Sequence, residues 1–346
     1  MYKTEIASED ELKHWNRIIS RCPYSEALHT VEWRDALKTC FKQLKPLYFV
    51  IKDRSDSIAG TMPCFIFRPM PLVSMTLSMP WKLPGGPLIL PEANAAEAVS
   101  SVIEKLDGIS YGQRSFETTL TLPADCSPDV TRSLESRGYL TQPESFTHIL
   151  RTEKGYDEIW KAYNKRIRGA VRKAKRAGVI VRETEDEAEM MGFYRLYLAL
   201  MEHFNSTPKP YRLLRYLQTS PIARLVVAQL DHQIIAGLLF LHFNSSVRLW
   251  CEASDPEFLS YRPNNAVIDY IIRWACEHGY PRVDFGASPV ESEGLIAFKE
   301  EWRAEKTWFC AFTKLHSSWK RKLWNTSEPA LRRVYGAIQR FRIRSV

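Results

Sequence analysis

ARLVVAQLDHQIIAGLLFLHFNSSVRLWCEAS, Ala223–Ser254, reads as three strands in succession. Its long apolar runs are broken only by DHQ and NSS, the pattern of two hairpin turns. Helical patterns precede it near 156–177, 186–204 and 209–219. One more follows near 263–278, ending at Gly279 before the strand RVDFG. The first half shows the same order. Helices near 9–21 and 30–40 lead to strands PLYFVIK and IAGTMPCFIF. A helix near 92–107, the strand SFETTLTL, a helix at 128–137 and the strand FTHILRT complete it. Helix, helix, meander, helix, strand, repeated with little sequence identity, predicts an α/β protein of two similar units with mixed sheets flanked by helices. The expected domains are 1–150, 151–304, and a closing strand with a basic amphipathic helix over 305–346.

A chain of 346 residues is too long for one ordinary core. Seven cysteines are scattered without a CxxC pair or zinc spacing, which argues for reduced, mostly buried thiols and against a structural metal. The acidic, polar start MYKTEIASEDELKHW reads as neither a signal nor a transit peptide, and the least polar stretch carries Arg68 and several prolines. The expected location is therefore the cytoplasm. The net charge of +8 favours anionic partners.

The charge concentrates in WKAYNKRIRGAVRKAKRAGVIVR. Trp160, Tyr163, Ile167, Val171 and Ala174 draw an apolar stripe at helical spacing, while eight cations and no acid occupy the sixteen residues Lys161–Arg176. A solvated face with helix-dipole benefit is one reading. The other is a docking surface for tRNA or another phosphate-bearing partner, through Lys165, Arg166, Arg172 and Lys173. Without aromatic interleaving or a helix-turn-helix pattern, DNA is not an expected partner.

Two further stretches invite chemistry. In MEHFNSTPKPYRLLRYL, Arg212 and Tyr216 stand four residues apart on one helical face and suit a phosphate, or else are a surface residue and a core residue. In DFGASPVESEGLIAFKEEW, a strand breaks at Gly286 and Phe298-Lys299 follows a loop of small and acidic residues. Gly286, Ala287 and Ser288 offer backbone N–H groups to an anion or carbonyl, or Gly286 serves only chain reversal. Lys299 reads on its own as a surface salt bridge to Glu300 or Glu301. Glu293, Glu300, Glu301 and Asp284 are its neighbouring carboxylates, none singled out as a base. His148 and His203 read as packed or capping residues.

Taken in order, NKRIRGAVRKAKRAGVIVR, MEHFNSTPKPYRLLRYL, YRPNNAVIDYIIRWACEHGYPRVDFGASP and GLIAFKEEW resemble the FemAB family of peptidoglycan interpeptide-bridge aminoacyltransferases, and its broad branch of acetyltransferase-domain proteins in the GNAT superfamily. The resemblance covers roughly 150–305, with the first domain fitting by topology and position. It implies two tandem GNAT-like domains with the acceptor in a cleft between them. It also implies an N-acyltransferase that forms an amide on a phosphate-bearing cell-envelope or sugar-linked precursor. Arg212 and Tyr216 would contact the precursor's diphosphate, Lys299 with Phe298 would stand at the acyl-transfer centre, and Ser288 and Gly286 would line it. No bound cofactor is implied; the co-substrate is an activated donor, aminoacyl-tRNA or acyl-CoA.

Two departures bear on the donor. The long helical arm that some Fem proteins insert, associated with tRNA contact, has no counterpart. The loop that should cradle a CoA pyrophosphate reads DPEFLSYRPNN, without a glycine. The competing readings are an acetyl-CoA-dependent N-acetyltransferase and an inactive binding module in envelope assembly. The tail SSWKRKLWNTSEPALRRVYGAIQRFRIRSV sets Trp319, Trp324, Leu331, Val334, Tyr335, Ile338 and Phe341 among cations at Lys320–Lys322 and five arginines from Arg332 onward. Such a helix suits peripheral contact with the inner face of an anionic membrane, or packing on the first domain.

Overall fold

The computed structural model describes residues 2–123, 128–142 and 145–344. The chain divides into one compact unit of Met1–Phe146 with Trp308–Pro329, and a second of Thr147–Thr307 with Ala330–Val346.

In the first unit, β1 (Lys3–Ile6) leads to the short helices α1 (Glu9–Lys13) and α2 (Trp15–Ile19), then to α3 (Val31–Cys40). Strands β2 (Leu44–Pro46), β3 (Phe49–Lys52), β4 (Ile58–Met62), β5 (Phe65–Met70), β6 (Val73–Leu77) and β7 (Leu88–Ile89) follow. After α4 (Ala95–Gly112) come β8 (Glu117–Pro123), α5 (Pro128–Ser136) and β9 (Leu140–Thr141). The expected strand IAGTMPCFIF splits at Pro63-Cys64, because its halves join different sheets. β4 enters the antiparallel order β1-β3-β4-β7, whereas β5 pairs β2 and β6. β6, which the sequence reading missed, runs parallel to β8, with α4 as the crossover. Val99, Val102, Ile103 and Leu106 of α4 pack on Phe49, Ile51, Leu120 and Leu122.

Next along the chain is β10 (Ser145–Arg151), followed by the helical elements α6 (Tyr156–Ala162) and α7 (Lys165–Arg176). These two were expected as one helix. Asn164 takes an extended conformation between them, and its side chain caps α7 by accepting from the Arg166 N–H at 3.0 Å. The apolar stripe survives the break, for Tyr163, Ile167 and Ala174 are buried and Trp160 and Val171 pack beside them. β11 (Ile180–Thr184), also unforeseen, precedes α8 (Glu187–His203) and α9 (Tyr211–Gln218).

The opening meander is β12 (Ala223–Leu230), β13 (Gln233–Phe243) and β14 (Ser246–Ser254), joined as antiparallel hairpins. Helix α10 (Pro263–Glu277) crosses over to β15 (Arg282–Ala287), then α11 (Glu293–Glu301), β16 (Glu305–Leu315) and α12 (Ser318–Arg344) end the fold. The second unit orders its strands β11-β12-β13-β14-β15-β10, with only β14 and β15 parallel among these. α7 and α10 bury Ile167, Val267, Ile268 and Ile271 against Val226, Leu238 and Phe240. At Gly237 a Cβ would stand 2.6 Å from the ring of Phe193, so glycine there lets α8 close on the sheet.

Two irregularities open this sheet. A bulge opposite Leu239 and Phe240 leaves Trp250 out of the β13–β14 register. Beyond it, β14 and β15 have separated; their pairing runs only through Val247–Val283 and Arg248–Asp284. The tail helix α12 packs Leu323 and Trp324 on Val73, Met75 and Phe116, while Trp319, Leu331, Val334 and Ile338 are exposed. Phe341 and the arginines beyond Arg333 have side chains outside the described residues. Among the described residues six cysteines are free thiols, five of them buried, and no helix is long and apolar enough to cross a membrane.

Candidate acyl-transfer site

Where β14 and β15 part, the second unit gathers four charged side chains, three of them buried. Arg248 and Asp284, neighbours across the last paired register, form a salt bridge at 2.7 Å with both side chains almost fully buried. Asp284 also accepts from Thr147 of β10 and, at 2.7 Å, from the N–H of Gly286. Such saturation is what keeps a buried ion pair from being a net cost.

Lys299 is the third group. It is 5% exposed, and its Nζ donates to the Gly286 carbonyl at 2.6 Å, with Ala287 O at 3.5 Å. The surface salt-bridge reading therefore fails. Glu300 pairs with Lys306 at 2.9 Å and Glu301 with Arg166 at 2.8 Å. Burial lowers the Lys299 pKa to about 8, against the opposing pull of Asp284 and Glu252 and with further lowering from Arg248.

Glu252 is the fourth, and sequence reasoning missed it. Burial lifts its pKa to about 7, opposed by the charge of Lys299. The residue as a whole is half-buried. An acid and a base thus sit within range of each other's charge, their pKa values drawn toward neutrality, as acid–base catalysis requires. The only signal for Glu252 was a lone carboxylate in the strand VRLWCEAS.

Gly286 holds the loop in place. Its φ of 75° is in the left-handed region, and its N–H and C=O are committed to Asp284 and Lys299. That N–H is therefore spoken for in this structure, contrary to the reading that offered it to an anion. Ser288 lies just beyond, 7% exposed, its hydroxyl buried without a hydrogen-bond partner among the described residues. His148 is fully buried on β10, with its pKa lowered by burial and then by Lys299. His203 ends α8, exposed, its ring edge-on to Phe204.

Phe298, though adjacent to Lys299, belongs to a different surface. It packs edge-on to Trp302 and lines a cavity of about 220 Å³ with Arg166 and Lys173 of α7. Arg172 instead lies over the Trp160 ring at 5.7 Å, and Lys165 is exposed in the first turn of α7. Arg212 and Tyr216 are on α9, the first exposed and the second half-buried. The bonds of Lys299 go to the β15 loop and not to α9.

Residues 161–300 match the model of the acetyltransferase (GNAT) domain family, which spans α7 to α11 and so encloses this site. What this match shows is a GNAT-type acetyltransferase domain over that stretch of the second unit. No curated protein sequence matches the chain significantly. Among solved structures, FemX superposes with a TM-score of 0.75 at 15% identity, covering 94% of this chain and 99% of its own. The tandem GNAT protein from the clavulanic acid biosynthesis pathway gives 0.59 at 12% identity, covering 91% of this chain and 98% of that one. L-PGS from Bacillus licheniformis gives 0.57 at 10%, covering 96% and 98%. The chain has a FemAB-like fold built from tandem GNAT units.

Proposed function

We propose that this protein is a FemAB-type N-acyltransferase that moves an aminoacyl or acyl group from an activated donor to an amine of a phosphate-bearing cell-envelope or sugar-linked precursor. The single observation that carries the reading is half-buried Glu252 and buried Lys299 within range of each other's charge at the parting of β14 and β15, with pKa values of about 7 and about 8. Ionised Glu252 accepts a proton from the amine as its nitrogen attacks the donor carbonyl carbon. A C–N bond forms, and the C–O bond of an ester, or the C–S bond of a thioester, breaks. Protonated Lys299 gives its proton to the leaving oxygen or sulfur, and the Glu252 proton then restores Lys299. The unpartnered Ser288 hydroxyl is a ready donor for the tetrahedral oxyanion. Arg212 and Tyr216 are assigned to the acceptor's phosphates on their spacing along α9.

The test is amide formation, read by mass spectrometry, from aminoacyl-tRNA and from acetyl-CoA on a diphosphate-linked peptidoglycan precursor. Product from aminoacyl-tRNA is expected; no product from either donor on any amine acceptor would refute the reading. Acetyl-CoA is the second reading, favoured by the acetyltransferase domain match over 161–300. Against it stands the glycine-free loop before α10.

A peripheral contact with an anionic bilayer is part of the same proposal. Leu331, Val334 and Ile338 are exposed at i, i+3 and i+7 on α12, beside Arg332 and Arg333. Co-sedimentation with phosphatidylglycerol vesicles but not phosphatidylcholine vesicles is expected, and equal binding to both would refute the electrostatic part.

A further inference from the structure

The hydrogen bonds of Lys299 go to main chain. Its Nζ donates to Gly286 O at 2.6 Å, with Ala287 O at 3.5 Å, although Asp284 and Glu252 are near enough for their charges to act on it. The oxygens of Asp284 are engaged elsewhere. Oδ2 pairs with Arg248 at 2.7 Å, and Oδ1 accepts from Thr147 and, at 2.7 Å, from the Gly286 N–H. Asp284 and Lys299 therefore grip the same residue, one by its N–H and the other by its C=O.

That residue sits in a bulge. β10 advances two residues from Thr147 to Ile149 while β15 advances three, from Asp284 to Ala287. The extra residue fits because Gly286 takes φ 75°, which a side chain would strain. A bulge re-aims the groups of its strand, and here the Gly286 carbonyl is the one that Lys299 reaches. Such a hold is needed. Lysine ordinarily keeps its ammonium in water, yet this one is 5% exposed on a helix whose Leu295, Ala297 and Glu300 are exposed. Freed of the carbonyls, its flexible four-carbon stem would carry Nζ back to solvent.

We propose that Asp284 is a positioning residue for Lys299 and acts through Gly286. It fixes the bulge by its bond to the Gly286 N–H, and the bulge presents the carbonyl that keeps the lysine in the site. The inference rests on the acyl-transfer reading for what the lysine does, not for where it is held. Carbonyls suit this task better than a carboxylate would. They accept from the ammonium without the full opposite charge that would bind its proton. They also take two of its three N–H donors, which leaves the third for a leaving group. Thr147 and Arg248 occupy Asp284 from the two flanking strands and keep it turned to the bulge.

The test is a pH titration of the Lys299 ¹³Cε resonance in the full chain carrying labelled lysine, assigned by its loss in Lys299→Met. The charges that bear on Lys299 are Asp284, Glu252 and Arg248, and His148 of β10 feels Lys299 in turn. The double variant Arg248→Met/Asp284→Leu removes one charge of each sign, so their direct effects oppose, and apolar replacement of a buried ion pair is often neutral for stability. It strips the Gly286 N–H of its acceptor. The Lys299 midpoint is expected to rise by about one pH unit or more, toward the ordinary lysine value. Gly286→Val changes no charge and cannot keep φ 75°, so it should raise the midpoint likewise, and it decides the matter if the double variant does not fold. Ser110→Ala in the first unit should lower stability without moving the resonance. A midpoint within about 0.3 of wild type in a folded double variant or in Gly286→Val overturns the proposal. So does an equal rise in Ser110→Ala, which would mark general loosening. Where amide forms, kcat of the double variant should fall about a hundredfold, the cost of a misplaced group, and an unchanged kcat overturns the positioning role. The titration needs no substrate. If the midpoint moves as expected but no donor yields amide, the acyl-transfer reading falls and the positioning stands; if amide forms and the midpoint does not move, only this inference falls.

Discussion

Each unit has a parallel strand pair with a helix crossing over it, and the two pairs are filled by different chemistry. Beside β6 and β8, α4 presents Ser110 to Thr76 at 3.0 Å and to Thr118 at 2.6 Å; Thr76 meets Ser115 at 2.9 Å and Thr118 meets His316 Nε2 at 2.8 Å. Each of these hydroxyls has a partner and none carries charge. Beside β14 and β15 stand Arg248, Glu252, Asp284 and Lys299, and the Ser288 hydroxyl is left open. A satisfied neutral network rigidifies a core, whereas buried charges with shifted pKa values and a spare donor are poised to react. The comparison gives the first unit's pair a structural character and makes the second unit's pair the candidate for chemistry.

The sharpest way to break this contrast is Glu252→Gln, which keeps the shape and removes the base. A fall in kcat of about 10²–10⁴ is expected, the usual contribution of a positioned base. In wild type the rate should rise with pH through about 7, as Glu252 ionises, and fall above about 8, as Lys299 loses its proton. Because the groups feel each other, these limbs belong to the pair. Glu252→Gln should abolish the rising limb; a bell that survives intact assigns that limb elsewhere.

Lys299→Met should lower kcat by roughly 10²–10³, comparable to loss of an oxyanion donor, while circular dichroism stays native. Undiminished transfer would remove Lys299 from the reaction. Arg248→Met should act on stability instead, by about 3–5 kcal/mol in urea unfolding, since it strands a buried Asp284. A loss under about 1 kcal/mol would mean that water reaches that pair. In the first unit, Ser110→Ala should cost about 1–3 kcal/mol by leaving Thr76 and Thr118 short of a partner, and should leave turnover per folded molecule unchanged. A drop in kcat there as large as that of Glu252→Gln would erase the distinction between the two pairs.

Much of this was legible in the residues themselves. Long apolar runs with short polar breaks marked β12, β13 and β14, and the glycine-ended apolar repeat marked α10, because those patterns are local. Phe298-Lys299 was found through an ordered resemblance rather than through spacing. What stayed hidden was of another kind. β6 lay in a proline-rich stretch without clear alternation, and the break at Asn164 interrupts an apolar stripe that is continuous in sequence. Glu252 looked like any polar residue near a strand end, and the carboxylates beside Lys299 in sequence proved to be partners of Lys306 and Arg166.

Sequence alone determined the two α/β units, the basic face of α7 and the lysine on α11, since each depends on neighbours within a few residues. Only the tertiary structure decided which charged groups are gathered at the candidate site. The bulge at Trp250 and the parting of β14 from β15 bring Glu252 within reach of a lysine 47 positions later, and burial then draws both pKa values toward neutrality. Desolvation is a property of everything packed around a charge, and no window of sequence contains it.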